Sequence, residues 1–126
     1  MPNHDPSVEA LYATGHWLLA AERFADASIV FRTMALAAPS DERAWLALGS
    51  CHEAIGQQEL ATTLYGIAEA VAAPAIRCTI ARGRVLRAFG SDDEAQLSFE
   101  RARDLAVEIG NEELVSLAEC ELRMAS

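Results

Sequence analysis

Small and apolar residues return along this chain with a period of 34. Gly15, Gly49 and Gly83 fall in register, as do Ala27, Ala61 and Ala95, and the aromatics Phe31, Tyr65 and Phe99. Leu11 matches Trp45 and Thr79, and Leu18 matches His52 and Leu86. Gly56 and Gly90 mark turns at one place, where the first unit carries Glu22. Such a period is the signature of a stacked supersecondary unit. A glycine inside a helix costs about 1 kcal/mol against alanine, so three at one spacing need a packing reason. Glycine at the eighth place of a unit and alanine at the twentieth let two helices approach closely. The aromatic at the twenty-fourth place then fills the gap toward the next unit.

Helix limits agree with this frame. Ser7 is the expected cap of the first helix, with Glu9 in its first turn. Pro39-Ser40-Asp41 ends the second helix and caps the third, and Pro74 stands near the next boundary. Ser91-Asp92-Asp93-Glu94 has the spacing of a capping box at the start of the sixth. Gly110-Asn111 closes that helix and Glu112-Glu113 opens a seventh. Its apolar stripe (Leu114, Leu117, Ala118, Leu122) can cover the open end of an array while its charges, Glu121 included, face water.

The residue types at these places resemble the tetratricopeptide repeat. The second unit is nearest, with Trp45-x-x-Leu48-Gly49-x-x-His52, then Ala61, Tyr65 and Ala68. The resemblance implies an all-α, right-handed superhelical solenoid. A flexible N-terminus at 1–7 would precede a single domain at 8–126. That domain would hold three units at about 8–41, 42–75 and 76–109 and a capping helix at about 111–125.

Composition narrows the partners. The chain has 126 residues, 19 Asp+Glu against 10 Lys+Arg, and a formal charge of -9; all the basic residues are arginine. That balance argues against nucleic acid and against docking on anionic membranes. The longest nearly charge-free stretch, Tyr65 to Ile76, is interrupted by Glu69 and Pro74 and is too short to cross a bilayer. The first residues lack the pattern of a secretory signal. Cys51, Cys78 and Cys120 are widely spaced and read as reduced thiols of a cytoplasmic protein.

The chemistry inventory is sparse. His4, His16 and His52 have no metal-binding spacing, and neighbours such as Cys51 and His52 point to different sides of a helix. No nucleophile elbow, P-loop, zinc-protease or dinucleotide motif is present. Neither metal, cofactor nor catalysis is expected. A stacked array instead offers a concave face lined by the first helix of each unit. Places 2, 5, 9 and 12 of that helix share one stripe. They give Glu9, Tyr12, His16 and Leu19, then Arg43, Leu46, Ser50 and Glu53, then Arg77, Ile80, Arg84 and Arg87. Such a groove suits an extended peptide or short helix of a partner protein. Two roles fit its arginines: contact with the partner, or pairing with acidic residues of neighbouring helices. The carboxylate clamp for heat-shock chaperone C-termini needs asparagine at the sixth place, where Ala13, Ala47 and Ala81 stand.

A finer resemblance lies in the order of the words: Leu11-Tyr12, Phe24-Ala25-Asp26-Ala27, Val30-Phe31, then Asp41-Glu42-Arg43-Ala44-Trp45-Leu46-Ala47-Leu48-Gly49-Ser50-Cys51, Gly56-Gln57, Leu60-Ala61 and Tyr65. This run is similar to the class II chaperones of type III secretion. The resemblance implies a cytosolic, non-enzymatic protein that keeps a secreted, partly hydrophobic translocator soluble and export-competent. An extended segment near the client's N-terminus would lie in the concave groove. Family members use a further N-terminal helix in self-association, so seven residues before the first unit argue against a homodimer by that route. The alternative is a general tetratricopeptide adaptor that assembles an unrelated complex through the same groove.

Overall fold

The computed structural model describes residues 5–124, so the terminal residues of the expected flexible segment and of the expected capping helix lie outside it. Among the described residues the chain forms seven α-helices. They are α1 (Pro6–Ala20), α2 (Phe24–Ala37), α3 (Glu42–Ala54), α4 (Gln58–Val71), α5 (Ile76–Ala88), α6 (Asp92–Ile109) and α7 (Glu112–Met124). The all-α architecture expected from the period is therefore what forms.

Short polar signals set the helix ends. Asp41 caps α3 as expected, accepting from the Arg43 N–H at 3.1 Å. At α1 the cap is Asp5 rather than Ser7: its carboxylate accepts from Ser7 N–H at 2.8 Å. Pro6 accounts for the shift, since it fits the first helical turn and has no N–H to satisfy. The capping box at Ser91 does not form. Ser91 occupies the N-cap place without a side-chain bond, and its N–H donates to Leu86 O at 2.9 Å. Asp92, Asp93 and Glu94 instead favour that helix start through its dipole. Gly110 closes α6 in the left-handed conformation, and Asn111 caps α7 by accepting from Leu114 N–H at 3.1 Å.

Successive helices pack on one another, and α3 also touches α5 as α5 touches α7. That is the contact order of a spiral of helical hairpins. A Cβ placed on Gly15, Gly49 or Gly83 would run into the ring of Phe31, Tyr65 or Phe99 respectively. The aromatic therefore sits over the glycine of its own hairpin, not only toward the next one. All three rings are fully buried. The three turns between paired helices also match in backbone: Glu22, Gly56 and Gly90 all have φ between 59° and 85°.

At the first end of the described array Trp17 is 65% exposed, whereas Cys51 and Val85, one and two periods on, are buried in the core. At the other end α7 covers α5 and α6 with Leu114 and Ala118.

Candidate functional site

The first helices of the three pairs contribute to one cavity of about 440 Å³. Tyr12, His16 and Leu19 come from α1; Arg43, Leu46, Ala47 and Ser50 from α3; Arg77 from α5. Seven of these eight lie on the stripe expected from helical spacing. Ala47 is the addition: it is the residue that replaces a clamp asparagine, and its small side chain leaves the cavity room.

One wall is aromatic. The Tyr12 and His16 rings meet edge to face at 4.4 Å between centroids, and His16 rests against Phe31 at 5.5 Å. The Arg43 guanidinium lies over the Tyr12 ring at 4.4 Å. It also binds Glu9 at 2.5 Å and Asp41 at 2.7 Å. These hydrogen bonds, from Asp41 first and then Glu9, hold Arg43 well above the ordinary arginine range. The cation is fixed, and with it the position of the tyrosine. Glu9 thus bears on the cavity through Arg43. Ser50 lines the wall but donates its hydroxyl hydrogen to Leu46 O at 2.9 Å.

The remaining stripe residues are engaged elsewhere. Glu53 accepts from the Tyr65 hydroxyl, whose pKa is raised by burial and by that carboxylate, so the phenol stays a donor. Ile80 is 3% exposed and packs in the core beneath α6 and α7. Arg84 and Arg87 both bind Glu121 of α7, the latter at 2.6 Å, and Arg87 also lies over the Phe99 ring at 5.1 Å. Both arginines are thus paired with an acidic residue of a neighbouring helix. Glu121 itself does not face water as expected of the capping helix; it is 6% exposed. Burial pushes its carboxyl up, but hydrogen bonds from Arg87 and Arg84 outweigh that and leave it below the ordinary carboxylate range. The sequence carried a signal for this: Glu121 stands one period after Arg87 and so shares its stripe.

Among the described residues no three His, Cys, Asp or Glu side chains gather as a metal site. His52 faces Gln57 at 2.7 Å, and His4 lies outside the described residues. Burial pushes the Cys51 thiol up to about 11 and raises Cys78 further, while Cys120 is exposed. No described helix is long and apolar enough to cross a membrane.

No protein-family model matches the chain, and no curated protein is significantly similar to it. Solved structures are informative. PcrH from Pseudomonas aeruginosa superposes with a TM-score of 0.84 at 26% identity, covering 98% of this chain and 95% of that one. PcrH has also been solved with the chaperone-binding region of PopD, at a TM-score of 0.82 and 26% identity, covering 98% of this chain and 93% of that one. The Yersinia enterocolitica chaperone SycD, solved with a peptide of the translocator YopD, has a TM-score of 0.80 at 25% identity, with 97% and 94% covered. This chain is a tetratricopeptide solenoid resembling the class II chaperones of type III secretion. The first tetratricopeptide domain of Spaghetti (RPAP3), bound to an HSP90 peptide, shares the fold at a TM-score of 0.76 and 20% identity, with 97% and 92% covered. Tetratricopeptide packing thus accounts for the glycine–aromatic pairs.

Proposed function

We propose that this protein is a cytosolic secretion chaperone. It holds an extended segment of a hydrophobic, translocator-type client in the groove of α1, α3 and α5 and so keeps the client soluble until export. The observation that carries this reading is the cavity between Tyr12, His16, Leu19, Leu46 and Ala47. It is an apolar, partly enclosed space on the inner helices of a chain whose likeness to PcrH extends over nearly its whole length. An apolar groove with a few polar groups recognises a peptide by burying its anchoring side chains. The described lining is mostly apolar and aromatic, which supports binding of a peptide.

On this reading the units at about 8–41, 42–75 and 76–109 are the scaffold, and the helix at about 111–125 closes its end. The groove then consists of the α1 and α3 residues with Arg77. Glu53, Ile80, Arg84 and Arg87 hold the walls. The test is affinity capture from cells grown under secretion-inducing conditions, followed by mass spectrometry. Recovery of a secreted, membrane-active protein supports the chaperone. Recovery only of folded components of another complex favours the adaptor reading.

A further inference from the structure

Four arginines stand on the inner stripe of α3 and α5, and three of them are committed. Arg43 is locked between Glu9 and Asp41, and Arg84 and Arg87 share Glu121. Arg77 differs. Its ion pair is with Glu113 at 3.7 Å, and both side chains are largely exposed, at 47% and 75%. A long, solvated pair of this kind is worth little and is readily exchanged for another carboxylate. Arg77 also lines the same cavity as the apolar set, and no carboxylate side chain lies among the cavity's lining residues.

We propose that Arg77 is a specificity residue of this groove, holding an Asp or Glu side chain of the bound segment while a neighbouring apolar side chain fills the space between Tyr12 and Leu46. The proposal rests on the groove reading above and adds the chemistry of what the groove selects. A guanidinium takes a carboxylate through two parallel hydrogen bonds, a geometry a lysine does not offer. Arg77 and the apolar residues line one cavity, so acid and apolar anchor stand close together along the bound segment. In a chain of charge -9, which repels acidic segments in general, Arg77 is a local cation at which a single acidic side chain is accepted.

The test is selection from a phage-displayed random dodecapeptide library against the full chain, the charge-reversed Arg77→Glu, the neutral Arg77→Gln and the groove-blocked Leu46→Glu. Circular dichroism checks that each variant is folded. The wild type is expected to enrich peptides with an apolar residue and a nearby Asp or Glu. R77E should keep the apolar preference and exchange the acid for Lys or Arg. In fluorescence polarisation with a selected peptide, replacing its acid by Ala should weaken wild-type binding about tenfold and leave R77Q binding unchanged. Apolar peptides without an acidic bias, or an acidic bias that survives in R77E and R77Q, overturn the role of Arg77 and leave the groove reading standing. Peptides bound equally well by L46E contradict the groove reading itself, and the role of Arg77 falls with it.

Discussion

At the scale of single residues the fold turns on places where the backbone or a ring leaves no freedom. Glu22 has φ 59°, in the left-handed region, where its counterparts are Gly56 and Gly90. A side chain is strained there, so Glu22→Gly should stabilise the chain by about 0.5–1 kcal/mol, read from denaturant unfolding. Gly49 makes the opposite case. Its Cβ position is filled by the Tyr65 ring, so Gly49→Leu should cost roughly 1–3 kcal/mol or more. Unchanged stability in G49L would contradict the packing described. Both positions were legible in the sequence, because a period exposes a substitution at one place and an invariant small residue at another. The cysteines were legible only in part. Spacing said that they do not pair, but burial decides their reactivity. Iodoacetamide at pH 8 should label Cys120 in the native protein and spare Cys51 and Cys78 until unfolding, since burial keeps those two thiols protonated.

At the scale of helices, α7 is more than a lid. Its apolar side was readable from Leu114 and Ala118. The inward turn of Glu121 was signalled only by its place one period after Arg87, since the apolar stripe of α7 by itself does not show two arginines arriving from another helix. Ser91 illustrates the same limit: a capping box is a local pattern, and the entry of the chain from α5 gave Ser91 a different backbone angle. Glu121→Gln should lower stability at pH 7 by roughly 1–2 kcal/mol, modest because Arg84 is half exposed. The sign with pH follows from the depressed carboxyl of Glu121. Its contribution is complete above the unfolded value of 4.5 and is lost as pH falls through the lower folded value. Thermal unfolding of wild type and E121Q should therefore converge in acid. A gap that stays constant between pH 7 and pH 3 would show that the ion pairs do not hold α7.

At the scale of the whole molecule, the stacked hairpins bring three helices, distant in sequence, to one cavity. The stripe rule found most of that cavity, since the first-helix face is a matter of helical geometry. Along α5 only Arg77 of that stripe lines the cavity, while Ile80 lies in the core and Arg84 and Arg87 pair with Glu121 of α7. The presence of a covering helix, not the local sequence, decides which side of α5 is free. The groove residues at the α1–α3 end therefore carry the claim of client binding. The most direct measurement is co-expression of this chain with a secreted hydrophobic protein encoded beside it, comparing wild type with Leu46→Glu. The wild type should keep the client soluble in a co-purifying complex. L46E, with an unchanged helical spectrum, should weaken binding about 30-fold or more and leave the client in the pellet. A client that stays soluble and bound with folded L46E, or is insoluble with the wild type, would contradict the account.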